Sequence, residues 1–334
     1  MTINSYAALA AKQKLETFQY EPNELGPWDV ELSISHCGIC HSDVHLIDDD
    51  WQMSTFPLVP GHEIVGTVQA LGANVKHLAK GQRVGIGWQR SACLTCEFCI
   101  CGEENLCPQQ QATCMGNYGG FAESIRMDSR FVFPVPEKLA SENVGPLLCG
   151  GITVFSPLRR YDVRPTMKVG VNGIGGLGHL ALQFAHAFGC EVTAFSTTPE
   201  KESEAKEFGA HHFICSKDSS AIEQAANSLD FILNTVYADI DWVSFLNILR
   251  PNGKLCTVGA AANPIMIPVF PLIAGQKTVC GSVIGGRRII QEMLEFCARH
   301  HIKAKTEILP MSEVNTAIDK VRNGKARYRM VLKN

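Results

Sequence analysis

The sequence predicts an α/β protein of two domains, one built on a doubly wound parallel six-stranded sheet and the other mostly β. Three observations lead there. A strict alternation of strand and helix fills the second half of the chain, and short strands punctuated by glycine and proline fill the first. The length, 334 residues, exceeds the size at which a single hydrophobic core stops growing. The texture changes near residue 148 and again near 287, so the division is 1–148 with 287–334 on one side and 149–286 on the other.

Composition narrows the function classes. With 46% apolar residues, 19% charged residues and a net charge of -3, the mild acidity argues against a polyanionic partner, since nucleic-acid binding usually shows a basic face, and no such partner is expected, local basic patches aside. The most apolar run, 264–274, is broken by Pro268 and Pro271 and falls short of the roughly 18 apolar residues of a membrane span, so no membrane association is expected either. At the N-terminus Lys12 and Lys14 follow the small apolar patch rather than precede it, unlike a secretory signal, which points to the cytoplasm. Of the 14 cysteines, those that cluster are in that reducing compartment better read as metal ligands than as disulfide partners.

In the first half, residues 30–34 alternate apolar and polar as a half-buried strand does, and 64–68 reads as another. Between them lies the densest chemistry of the chain, residues 36–45, which holds a thiol (Cys40), a hydroxyl (Ser42), a carboxylate (Asp43) and an imidazole (His45). Further on, Cys93, Cys96, Cys99 and Cys107 follow a C-x2-C-x2-C-x7-C spacing that can wrap a tetrahedral ion. Four protein ligands leave no room for substrate, so this ion is structural; Cys101 is a bystander that keeps the alternative of swapping in. A helix opens at 147–160.

The strands of the second domain are predicted at 168–172, 191–195, 211–215, 230–235, 254–258 and 278–283, with helical crossovers that cover both faces. After the first strand comes Gly173-Ile174-Gly175-Gly176-Leu177-Gly178, opening a helix whose Leu180, Ala181, Phe184 and Phe188 recur at helical spacing. In that setting the glycines make a dinucleotide site: Gly173 for the turn, Gly175 for close approach of a pyrophosphate, and the helix N-terminus for its charge. At the end of the second strand Ser196, Thr197, Thr198 and Lys201 stand where an NAD site presents a carboxylate, which favours NADP(H). Plain helix capping by Thr198 and Pro199 is the alternative, and Glu200 and Glu202 weigh against a phosphate. Residues 289–296 and 314–321 read as helices and 329–332 as a strand; these return to the first domain, because the six-stranded sheet is already complete.

Taken together, Cys-Gly-Ile-Cys-His-Ser-Asp, Gly-His-Glu, the four-cysteine lobe and the glycine turn resemble the zinc-dependent medium-chain alcohol dehydrogenases. The resemblance is greatest to the cinnamyl-alcohol-dehydrogenase-type, NADP-dependent aldehyde reductases. It implies a GroES-like catalytic domain with a structural-zinc lobe, a Rossmann domain, and two zinc ions per chain. The catalytic zinc would be held by Cys40, His62 and Cys149, with an interdomain cleft above it; Asp43 would orient His62 and Glu63 would stand behind the ligands. Three N and S ligands leave the fourth position open for water, alcohol or carbonyl. Cys114 is a rival to Cys149, and the match of Leu-Leu-Cys-Gly-Gly-Ile-Thr decides for the latter.

The resemblance further implies hydride transfer between nicotinamide and an alcohol or aldehyde, with a proton relayed through Ser42 and the cofactor ribose to His45, an imidazole suited to exchange near neutral pH. It places His41, Thr153, Val258, Gly259, Ser282, Val283, Ile284 and Arg329 at the cofactor, and Trp51 and Trp88 at an aromatic or medium-chain substrate. A homo-dimer or homo-tetramer is implied in the same way. Two other readings stay open: a non-catalytic dinucleotide-binding redox sensor, which would have little reason to keep Ser42, His45 and the ligand set, and a polyol dehydrogenase, whose relatives often carry a carboxylate among the zinc ligands and an acidic residue for NAD, neither of which pattern this chain shows.

Overall fold

The computed structural model describes residues 2–261 and 263–334. The chain forms two compact units, Met1–Ile152 with Gly285–Asn334, and Thr153–Ile284. The first division therefore follows Ile152 rather than residue 148, which leaves Cys149 in the same unit as Cys40 and His62.

In the first unit, a seven-stranded sheet is organised around Asp29–Ile39. That strand pairs antiparallel with Glu63–Leu71, with Ser124–Asp128 and with the C-terminal strand Arg329–Lys333. Its alternating Val30, Leu32 and Ile34 are buried together with Ile64, Val68, Val84, Phe121, Met330 and Leu332 in one core. The C-terminal segment belongs to the first unit, where helices Arg287–His300 and Val314–Arg322 bury Met293, Leu294, Val314 and Ile318. An N-terminal hairpin, Ile3–Ala7 with Glu16–Tyr20, and the edge strand Thr306–Pro310 add elements the sequence reading does not contain.

The second unit is a six-stranded, fully parallel sheet in the order His212–Cys215, Glu191–Ser196, Lys168–Asn172, Leu229–Asn234, Leu249–Thr257, Thr278–Gly281. All six predicted strands are present. The fifth starts earlier than predicted because Leu249 pairs with Leu229 ahead of a register shift. This order reverses direction beside the first strand, and doubly wound sheets bind ligands at the carboxyl ends of strands at such a point. Among the described residues no helix is long and apolar enough to cross a membrane.

Candidate metal centre and nucleotide turn

Where strand Asp29–Ile39 ends, Cys40 keeps extended backbone (φ -101°, ψ 158°) and caps the helix His41–Asp48. That helix, with Val44, Leu46 and Ile47 buried beneath it, is absent from the sequence reading. Asp43 sits in its first turn, where the helix dipole favours an acid. Its Oδ2 accepts the Cys40 amide at 2.9 Å, and its Oδ1 accepts the Gly61 amide at 2.9 Å and lies 3.0 Å from His62 Nδ1. Asp43 and His62 are both fully buried. One carboxylate therefore fixes the thiol's backbone, the turn before the histidine and the ring itself, and turns His62 Nε2 toward Cys149, where it could serve as a metal donor.

Cys149 arrives on a π-helical turn, Leu147–Gly151, that follows helix Ser141–Pro146. Such widened turns are frequent at functional sites. The approach is close: a Cβ on Gly145 would stand 2.5 Å from the Glu63 carbonyl, so only glycine lets this segment reach the start of strand Glu63–Leu71, which His62 immediately precedes. Cys149 Sγ then lies 3.2 Å from His62 Nε2 and 3.8 Å from Cys40 Sγ. Thiolates about 2.3 Å from a tetrahedral zinc would be about 3.8 Å apart. The geometry of the donors fits such an ion.

Glu63 extends the set. One carboxylate oxygen, Oε1, pairs with Arg329 Nη2, while the other, Oε2, is buried without a partner. Donor atoms of Cys40, His62, Glu63 and Cys149 all lie within 4.8 Å of one another. A buried orphan carboxylate oxygen is costly unless a cation or donor satisfies it, which again fits a metal. Arg329, assigned by resemblance to the cofactor, is placed with its guanidinium against Glu63 and is 6% exposed.

The protonation of these groups is interlocked. The hydrogen bond from Cys149 draws the Cys40 thiol well below its usual range, and the same bond pushes Cys149 well above it. Burial pulls His62 down, but the charges of Asp43 and Cys149 and the bond to Asp43 outweigh it and hold the imidazole well above its usual value. Burial raises Glu63 despite Arg329. A divalent cation would replace the shared protons on these ligands. Cys114, fully buried, contacts the Asp43–His62 pair but stands outside the Cys40 group.

Ser42 Oγ is 3.6 Å from Cys40 Sγ, and His45, three residues on, lies on the same helical face. His45 Nδ1 is 2.7 Å from Asp50 Oδ2, an ion-pair partner that sequence reasoning missed. The His41 ring is 6.2 Å from that of His45. Trp88 meets the His62 ring edge-on at 4.9 Å, whereas Trp51 leans on His45 at 5.2 Å and is partly exposed.

In the lobe, Cys93, Cys96, Cys99 and Cys107 converge, with Cys93 and Cys99 sulfurs 3.9 Å apart. Backbone amides of Thr95 and Cys96 donate to Cys93 Sγ, and those of Cys93 and Gln109 to Cys107 Sγ. The Thr95 amide is the main reason that the Cys93 thiol falls to about 6, whereas burial lifts Cys99 to about 12. Cys101 is exposed and outside the cluster.

In the second unit, Gly173 takes φ +87°, and a Cβ on Gly178 would collide with the Gly173 carbonyl. By contrast nothing lies within 4 Å of a Cβ position on Gly175, so its backbone faces open space where a pyrophosphate would fit. Gly176 and Leu177 complete the turn into helix Gly178–Ala187. Lys201 Nζ donates to the Ile174 carbonyl at 2.7 Å, and Ser196 Oγ accepts the Thr198 amide, with Thr197 and Thr198 exposed. Glu202 is paired with Lys206 at 2.7 Å, which turns one of the two opposing carboxylates to another partner. Val258 and Gly259 follow one strand end, Ser282, Val283 and Ile284 the next, and Thr153 lies in helix Ile152–Arg160.

Comparison with known proteins identifies the family. The family pattern described as Alcohol dehydrogenase GroES-like domain matches residues 26–137, and that described as Zinc-binding dehydrogenase matches 176–299. Aldehyde reductase AdhA of Synechocystis sp. is 44% identical over 330 residues, covering 99% of this chain and 98% of that one. A cinnamyl alcohol dehydrogenase structure from Sorghum bicolor aligns with TM-score 0.96 at 38% identity, covering 100% of this chain and 98% of its own. A cinnamyl alcohol dehydrogenase from Helicobacter pylori, complexed with NADP(H), aligns with TM-score 0.92 at 33% identity, again over 100% and 98%. The chain belongs to the zinc-dependent medium-chain alcohol dehydrogenases of the cinnamyl-alcohol-dehydrogenase type, and its reaction class is alcohol–aldehyde interconversion.

Proposed function

We propose that this protein interconverts primary alcohols and aldehydes with NADP(H), favours aromatic or medium-chain aldehydes, and carries two zinc ions. One ion is assigned to Cys40, His62 and Cys149, the other to Cys93, Cys96, Cys99 and Cys107. When bound, the zinc of the first site supplies a Lewis acid for the carbonyl or alcohol oxygen, and the nicotinamide supplies or accepts the hydride. The observation that carries the reading is the Asp43-anchored donor set, three N and S ligands with an unpartnered carboxylate oxygen beside them.

Around it the chain's own groups have separate tasks. Asp43 holds the His62 ring, and Arg329 holds one oxygen of Glu63. Ser42 Oγ carries the substrate proton, and His45, partly exposed and braced by Asp50, passes it to solvent. Trp88, edge-on to His62, offers an apolar wall suited to an aromatic substrate and keeps water from that side.

Three features support NADP(H): the open backbone at Gly175, the hydroxyls of Ser196, Thr197 and Thr198, and the lysine at 201 with no carboxylate at the strand end. Self-association into a dimer or tetramer is supported by helix Val269–Gly275, which buries none of its residues and leaves Val269, Phe270 and Ile273 exposed. An aldehyde panel assayed with NADPH and NADH in parallel, with mannitol in the oxidative direction, tests the reading. Reduction of aromatic aldehydes with NADPH is expected. Activity with NADH alone removes the cofactor assignment, oxidation of mannitol alone favours a polyol enzyme, and no turnover with either cofactor favours a sensor.

A further inference from the structure

The last two strands of the six-stranded sheet bring two cysteines face to face. Cys256 on Leu249–Thr257 and Cys280 on Thr278–Gly281 are register partners in a parallel pair. Neighbouring strands run about 4.8 Å apart, inside the Cα separation of roughly 4.4–6.8 Å that a disulfide spans. Side chains at paired positions project from the same face, and the Cys280 thiol donates to the carbonyl of Leu255, the residue before Cys256, at 3.7 Å.

Their surroundings are those of a reactive pair rather than of two core residues. Cys256 is fully buried, whereas Cys280 lies on the sheet's edge strand and is partly exposed. The Tyr161 hydroxyl donates to the carbonyl of Gly281, the residue after Cys280, at 2.6 Å. Lys254 donates to the Tyr161 carbonyl at 3.1 Å and adds positive charge, as does Arg160. The neighbouring Cys256 thiol, ahead of the other influences, brings the Cys280 thiol down to about 7. The same interaction and burial push Cys256 far up, so that Cys280 is the sulfur able to react as a thiolate and Cys256 keeps its proton. Leu255 and Val279 pack with Leu272 on the opposite face of the sheet, so the exposed apolar helix Val269–Gly275 is not on the side of the sulfurs.

We propose that Cys256 and Cys280 are a peroxide-responsive modification site that closes as a reversible disulfide. The Cys280 thiolate attacks hydrogen peroxide, the O–O bond breaks with release of hydroxide, and Cys280 becomes a sulfenic acid. The Cys256 sulfur then displaces the sulfenic oxygen, which leaves as water with the Cys256 proton. In sum, two thiols and one peroxide give a disulfide and two waters; the sulfur pair loses two electrons and the peroxide gains them. A small-molecule dithiol reverses the bond by exchange.

Zinc-loaded, reduced protein treated with hydrogen peroxide, blocked with iodoacetamide and digested with trypsin tests this. Cleavage after Lys254, Lys277 and Arg287 puts the cysteines on separate peptides, 255–277 and 278–287, each with a single cysteine. The expected product is that pair joined, lighter than the sum of the two by two hydrogens, with loss of both alkylated forms. Dithiothreitol should restore them, and neither Cys256→Ser nor Cys280→Ser should give the joined pair. In Cys256→Ser, Cys280 should instead run on to sulfinic acid, which shows that the sulfur is reactive even if strand packing changes. Full alkylation of both cysteines at a peroxide dose that oxidises the exposed Cys101 overturns the proposal, as does joining of Cys280 to any other cysteine.

Discussion

Cys40, His62 and Cys149 come from three separate elements and lie among two buried carboxylates, whereas Cys93, Cys96, Cys99 and Cys107 come from one loop and lean on backbone amides. In the first group every donor is placed by contacts of the fold: a strand end, an Asp43 hydrogen bond, a glycine-fitted π turn. In the second, the sulfurs converge within one segment and take their contacts from its own backbone amides. The difference separates two uses of similar ligands. A site built by the fold can leave a coordination position open for chemistry, while a site that builds the fold closes all four.

Variants should break this contrast in opposite directions. Cys149→Ala or His62→Ala should cut turnover by about 10³-fold or more, beyond the 10- to 100-fold typical of groups outside the ligand shell, with the lobe intact by thermal denaturation. Cys96→Ser should do the reverse, lowering Tm by roughly 5 °C or more while the folded fraction keeps most of its turnover. Equal losses of activity in the two would dissolve the distinction.

Glu63→Gln comes next. It leaves the Arg329 guanidinium buried without its charge partner, a loss of about 3–5 kcal/mol in urea denaturation by analogy with broken buried pairs. Asp43→Asn should weaken zinc binding or turnover by about 10- to 100-fold, measured by chelator competition, because the ring of His62 and the Cys40 amide lose a charged acceptor. Smallest is Asp50→Asn. The His45–Asp50 pair is 32% and 48% exposed at its side chains, so a stability change under about 1 kcal/mol is expected; a larger one would show that the pair is more than a brace for a surface imidazole.

How much of this was legible in the sequence follows from the range of the interactions. The parallel sheet was readable throughout, because each crossover switches the apolar period and each strand end carries its own turn residues. The convergence of the four lobe cysteines was readable because they lie close together in sequence. Cys40, His62 and Cys149 came together only through a family resemblance, since nothing local links residue 40 to residue 149. Asp50 as the partner of His45, and Arg329 as the partner of Glu63, were not legible. The second arises because Arg329–Lys333 and Glu63–Leu71 flank the same central strand, with Gly38 opposite Glu63 and Ile39 opposite Met330. Pairings of that kind are set by register, which single-sequence periodicity does not carry. The N-terminal hairpin escaped for a related reason: Glu16–Tyr20 buries none of its residues fully, so its pattern resembles a surface loop.

The contrast between a site built by the fold and a site that builds it rests on both clusters holding metal. Zinc content per chain of the wild type, of Cys149→Ala and of Cys96→Ser tests it most directly. About two ions in the wild type and about one in each variant are expected, whereas a single ion in the wild type, or one lost from neither variant, would contradict it.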